Sequence, residues 1–170
     1  MASDSVRQAV DKTTKLFESE PSKARVSTPP VTARLISGLT FGIQGARSEV
    51  QTDMPPAMGG QASAKTPGWH LRAGLASCIA TMIATRAAQL GISLNLLEVT
   101  VLSEVDYRGV LGLDDSISPA MANLRPQVKI AADGVPRAAL IDLVRWGVQH
   151  SPVARTITAG ELSEAEINAS

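Results

Sequence analysis

Between Trp69 and Arg108 the hydrophobic pattern changes period once, and that change limits the fold more than any other feature of the chain. In GWHLRAGLASCIATMIATRAAQLG, residues 68–91, the apolar positions Leu71, Leu75, Cys78, Met82 and Leu90 recur at helical spacing, with Ile79 and Ile83 beside them. Gly91 is a fitting stop for that helix. The next stretch, LNLLEVTVLSEVDYRG, alternates instead. Leu97, Val99, Val101, Ser103, Val105 and Tyr107 point one way; Glu98, Thr100, Leu102, Glu104, Asp106 and Arg108 point the other. Such a strand has one buried face and belongs in an antiparallel sheet. An apolar helix leading into it defines an α+β domain.

The flanking segments fit this frame. Residues 1–20 are expected to form a helix, with Val6, Val10, Thr13 and Phe17 on one side, a capping box from Ser5 to Gln8, and Pro21 at the end. Three prolines make residues 21–33 a linker or edge segment. Leu35, Ser37, Leu39, Phe41 and Ile43 alternate with smaller residues; with a turn near Gly45 and extended residues 49–52 they read as a hairpin. PPAMGGQASAKTPG and GLDDSISPAMANLRP are loops by composition, and QVKIAAD is a second strand with Val128 and Ile130 inward. Pro136 opens a second helix whose apolar side is Leu140, Ile141, Leu143, Val144, Val148 and Ser151, and Pro152 ends it. VARTITAG reads as a short extended piece before a polar tail.

Length and composition narrow the class. The chain has 170 residues, 44% of them hydrophobic, so a packed core is within reach. Formal net charge is zero, which argues against nucleic acid or an anionic membrane as the main partner. The run Ala73–Thr85 is too short to span a bilayer, and MASDSVRQAVDK has no apolar signal core. A single cysteine forms no internal disulfide, so the expected location is the reducing cytoplasm.

That cysteine, Cys78, is the central chemical question. A thiol in apolar surroundings is usually a small hydrophobe of the core, and burial makes it inert. As a reagent it must be a thiolate, reachable, and beside a supporting donor. Arg72 is six residues before it and Arg86 eight after, so neither is an adjacent neighbour on the helix. A supporting arginine is therefore expected from another strand or subunit. His70 and His150 show no metal-ligand spacing with other residues. Ser77 lacks a glycine elbow, and phosphate-loop and dinucleotide patterns are absent. No metal or cofactor is expected.

The segment TDMPPAMGGQASAKTPGWHLRAGLASCIATMIATRAAQLGI resembles the osmotically inducible protein C / organic hydroperoxide resistance (OsmC/Ohr) family. A Gly-Gly loop and Thr66-Pro67 precede the helix, and Leu75-Ala76-Ser77-Cys78 sets the cysteine inside it. EVTVLSEVDYRG, RPQVKIAAD and HSPVART follow in the same order, so the resemblance covers roughly residues 33–158. It implies an OsmC-like α+β fold over 31–170, an antiparallel sheet on two central helices in an intertwined homodimer, with residues 1–30 as an added helix and proline-containing linker. It also implies reduction of organic hydroperoxides by a thiolate on the central helix, at the position of Cys78. An arginine of the N-terminal hairpin, Arg34 or Arg47, would support that thiolate.

Two departures from the family pattern bear on this. A Glu commonly follows the proline that opens the cysteine helix, and here Gly68 follows Pro67. A second, resolving cysteine commonly opens the Cys-Pro step after the last helix, and here the step is Ser151-Pro152. An active protein of this kind would need an external thiol as reductant. Trp69, Ser151 and Arg155 are candidate pocket residues, and each is also explicable by packing or as part of a helix terminus. The alternative reading is an OsmC-like protein without peroxidase chemistry that binds a small apolar ligand at its dimer interface.

Overall fold

A computed structural model describes residues 2–46, 48–160 and 162–167. The chain divides into two compact units, Gln8–Gly74 and Met1–Arg7 with Leu75–Ser170. Helix α1 (Ala2–Ser19) and helix α2 (Pro67–Gln89) each begin in one unit and end in the other. Among the described residues, no helix is long and apolar enough to cross a membrane.

In the unit Gln8–Gly74, the alternating run at residues 35–43 is two strands rather than one. β1 (Thr32–Ser37) turns at Gly38 and Leu39 into β2 (Thr40–Gln44), and β3 (Glu49–Thr52) completes an antiparallel meander in the order β1-β2-β3. Gly38, at φ +52°, supplies the left-handed backbone of this turn. Leu35 faces Phe41 and Ile43 faces Val50 across the ladders. α1 starts at Ala2, so Ser5 lies inside the helix rather than at its N-cap position. Gln8 is already in the second turn, where its amide is bonded within the helix, so a Ser5–Gln8 box has no orphan amide to satisfy.

The other unit holds the main core. β4 (Leu96–Glu104) pairs antiparallel with β5 (Ala122–Ala131), Val99 opposite Val128 and Leu97 opposite Ile130. Against the inward faces of these strands pack Leu75, Ile79, Ile83 and Ala87 of α2 and Leu143 of helix α4 (Arg137–Gln149). The alternation of β4 matches the sequence expectation from Leu97 to Ser103. Beyond Glu104 it does not. Asp106 caps a single helical turn, α3 (Tyr107–Val110), accepting from the Arg108 amide, so Tyr107 belongs to that turn and not to the strand. β5 begins at Ala122, five residues earlier than QVKIAAD implies, and carries Pro126 opposite Val101.

Two further differences concern helices. The buried stripe of α2 runs through Leu75, Ile79, Ile83 and Ala87, while Leu71 and Leu90 are about half exposed. The segment after Pro152 is helix α5 (Pro152–Ala159) rather than extended chain. Pro152 both ends α4 and occupies the first turn of α5, where its missing N–H costs nothing.

Candidate functional site

Cys78 sits on α2 next to fully buried Ile79, and it is itself half-buried. Neighbouring Ser77 and Thr81 are exposed. The thiol therefore borders the core stripe of α2 without being sealed in it. Beyond it, the same helix lines an open groove of about 460 Å³ with Thr81, Ala84, Thr85 and Ala88, completed by Val6, Ile92 and Leu94.

Arg86 is already engaged. Its guanidinium lies over the Trp146 ring, 5.0 Å from the centroid, and donates to Gln89 Oε1 at 3.2 Å. On Trp146 the imidazole of His150 stacks at 3.9 Å and 11°, and His150 Nδ1 donates to the Trp146 carbonyl at 2.8 Å. The Trp146 carbonyl also accepts from the His150 amide at 3.0 Å, so the ring and the backbone of His150 converge on it at the C-terminus of α4. These contacts account for Trp146, Arg86 and His150 without a catalytic role.

Ser151 is fully buried, and its Oγ accepts from the Ala154 amide at 3.2 Å, capping α5. Arg155 lies exposed on the first turn of α5, its amide bonded to the Ser151 carbonyl. Arg34 is exposed on β1, opposite Gly42, and makes no ion pair among the described residues. Arg47 lies outside the described residues. Trp69, in the first turn of α2, is 42% exposed, with Lys65 Nζ 5.9 Å from its ring centroid and His70 edge-on at 5.1 Å. The His70 Nε2 atom is buried without a hydrogen-bond partner among the described residues.

Sequence reasoning missed Asp53. Its carboxylate is fully buried in the loop before α2. Oδ2 accepts from the Ser63 amide at 2.9 Å, the Ser63 hydroxyl at 2.7 Å and the Gln61 amide at 3.1 Å; Oδ1 accepts from the Met54 amide at 2.8 Å. These donors, Ser63 foremost, hold the carboxyl at about 2, below its usual value of 3.8. Gly60 closes the same loop, because a side chain there would stand 2.7 Å from Asp53 Oδ1 and collide with the Met54 carbonyl. An Asp followed at eight and ten residues by loop amides carries no periodic signal, so only the folded loop exposes its role. Among the described residues, no three His, Cys, Asp or Glu side chains group to hold a metal ion.

An antiparallel sheet packed on two apolar helices, with one half-buried cysteine on the longer helix, is the architecture that the resemblance implied. The family model for OsmC-like proteins matches residues 60–163, more than half of the chain. The chain belongs to the OsmC-like family. Among solved structures it is similar to an OsmC-like protein from Mycoplasma pneumoniae, with 15% identity and a TM-score of 0.67, covering 79% of this chain and 89% of the other. It is also similar to the organic hydroperoxide resistance protein OsmC of Legionella pneumophila, at 18% identity and a TM-score of 0.58, covering 78% and 90%. An organic hydroperoxide resistance protein of Bacillus subtilis matches at 19% identity and a TM-score of 0.52, covering 78% and 91%. At these identities the likeness is one of fold. No curated protein matches the chain in sequence.

Proposed function

We propose that this protein is a one-cysteine peroxidase that reduces organic hydroperoxides, acting in the cytoplasm as a homodimer. The observation that carries the reading is the place of Cys78, half-buried on the central helix of an OsmC-like domain. Relatives of the same fold are named organic hydroperoxide resistance proteins. In the reaction the Cys78 thiolate attacks the distal peroxide oxygen. An S–O bond forms, the O–O bond breaks, and the alkoxide leaves as the alcohol after taking a proton. Cys78 becomes a sulfenic acid. One external thiol condenses with it to a mixed disulfide and water; a second external thiolate attacks the first external sulfur, forming the external disulfide and releasing the Cys78 thiolate. The external reductant follows from Ser151, which cannot form a disulfide. Arg34 or Arg47 is the proposed support for the thiolate, and Trp69, Ser151 and Arg155 the proposed surroundings of the substrate.

The test is oxidation of the reduced protein by one equivalent of an organic hydroperoxide, followed by intact mass. Gain of one oxygen, faster than with hydrogen peroxide and lost in Cys78→Ser, supports the proposal. Oxidation no faster than that of a free thiol refutes it.

A second reading draws on the groove that α2 lines with Thr81, Ala84 and Thr85. Its lining is mainly apolar and small, and the chain lacks the usual Glu and second Cys. Those features favour an OsmC-like protein that holds a small apolar ligand. Copurification of such a ligand with a protein inert to hydroperoxides would select it.

A further inference from the structure

The loop between β5 and α4 holds the only Asp-Gly step in the chain, Asp133-Gly134. Both residues are exposed, in a tight turn closed by the Val135 amide on the Ala132 carbonyl at 3.5 Å. Gly134 has left-handed backbone there, at φ +71°. Such a step is chemically labile, because no side chain shields the glycine amide. Its nitrogen can attack the preceding aspartyl side-chain carbon, expel water and close a five-membered succinimide. Water then opens the ring to either aspartate or isoaspartate, in which the main chain runs through the former side-chain carbon.

Asn95, the residue before β4, holds that carboxylate from outside the turn. Its Nδ2 donates to Asp133 Oδ2 at 3.1 Å, and its Oδ1 accepts from the Asp133 amide at 2.9 Å. The backbone of Asn95 is fixed as well: its amide donates to the Ala131 carbonyl at 2.8 Å, at the end of the ladder where Leu96 pairs with Ala131. The two side-chain bonds admit one orientation of the amide group, since a carboxylate only accepts and a backbone N–H only donates. They draw the Asp133 carboxylate toward its own N–H, on the amino side of the residue. Ring closure needs it at the Gly134 nitrogen, on the other side.

We infer that Asp133-Gly134 is a latent succinimide and isoaspartate site, and that Asn95 guards it by holding the carboxylate off the Gly134 amide. Closure of the ring must first break the bond from Asn95 Nδ2, so the clamp adds to the barrier. Asn95 is thus a positioning residue, and its target is a modification that it prevents. The place of the turn gives the guard a purpose. Isoaspartate lengthens the main chain by one carbon between β5 and α4, and both elements pack on the core with α2. It also leaves a free α-carboxylate in the turn, the group that an isoaspartyl methyltransferase esterifies with S-adenosylmethionine. None of these steps involves Cys78.

The test is prolonged incubation of the whole chain, Asn95→Ala and Asn95→Asp at neutral pH. Isoaspartate at position 133 is read in the tryptic peptide of residues 130–137, by chromatographic retention and by enzymatic methylation. The unaltered chain should form it about tenfold more slowly than either variant, the factor of one hydrogen bond to a charged group. Asn95→Asp keeps an acceptor for the Asp133 amide but loses the donor and sets a like charge against the carboxylate. It therefore reads the clamp even if Asn95→Ala fails to fold. Asp115-Ser116 in the same chain is the reference. A rise confined to position 133 supports the guard; an equal rise at both steps marks general loosening and overturns it. Equal rates at position 133 in the unaltered chain and in Asn95→Asp would also overturn it, as would a free peptide of residues 130–137 that forms no isoaspartate.

Discussion

Gly147 of α4 lies directly against Ile83 of α2: a Cβ at 147 would overlap Ile83 Cγ1 and stand 3.1 Å from its amide nitrogen and 3.2 Å from its Cα. The two central helices therefore meet backbone to side chain at this point, and the contact sets their separation. Two of the three atoms are main chain, and Ile is stiff at its first torsion, so no rotamer change makes room.

Gly147→Ala is accordingly expected to destabilise the fold. Helix propensity alone favours alanine by about 1 kcal/mol. Overpacking a core contact costs about 1–3 kcal/mol and moves main chain here, so the loss exceeds the gain. Urea denaturation should show a lower midpoint at unchanged slope. In an Ile83→Ala background the further penalty of Gly147→Ala should shrink, because Cγ1 is gone. Full additivity of the two would contradict the contact.

Asp53 makes stability depend on acid. Its folded pKa, about 2, lies below the ordinary 3.8, so the ionised carboxylate stabilises the folded loop. That contribution is complete above pH about 3.8 and is lost as pH falls through about 2. Asp53→Asn places an amide where every neighbour is a donor, whichever way it is turned. The variant should be less stable than the parent at pH 7, and the gap should narrow below pH about 3.8. Denaturation midpoints of both proteins across that range check the sign; a gap that widens in acid would contradict it.

Much of this architecture is legible in the sequence, and the failures have physical reasons. β4 reads correctly because one wetted face imposes a strict alternation from Leu97 to Ser103. α2 is recognisable as a helix, but apolar residues surround it, so periodicity cannot say whether 71/75/78/82 or 75/79/83/87 faces the core. Ser151-Pro152 signals a stop, yet serine before proline is equally a start, and β-branched residues in VARTITAG pull the reading toward extended chain. Cys78 is identifiable as the candidate nucleophile, whereas the Asp53 cradle depends on loop amides that no pattern announces.

The stack on Trp146 yields a modest prediction. Arg86→Gln removes the cation over the indole, a contact worth about 0.5–1 kcal/mol at a partly open site. Stability should fall by about that amount, and Trp146 emission, read in a Trp69→Phe background, should shift. Since Arg86 is bound to Trp146 and Gln89, the rate of Cys78 oxidation should stay the same. A large drop in that rate would give Arg86 the role proposed for Arg34 or Arg47.

Ser151 separates structure from chemistry most cleanly. As a buried cap it holds the first turn of α5, so Ser151→Ala should cost about 1 kcal/mol, while Ser151→Asp would bury a charge in a fully enclosed position. If the hydroxyl is only a cap, the oxidation rate of Cys78 should be the same in the parent and in Ser151→Ala, at a temperature where both are folded. Turnover should require an external thiol in both, because neither side chain forms a disulfide. Ser151→Cys supplies the missing sulfur. Should Cys78 and position 151 stand within disulfide reach, hydroperoxide treatment of Ser151→Cys will yield an intrachain bond, seen as a loss of two hydrogens in intact mass. A stable sulfenic acid in Ser151→Cys would show instead that the two positions do not meet, and that α5 has a structural part only.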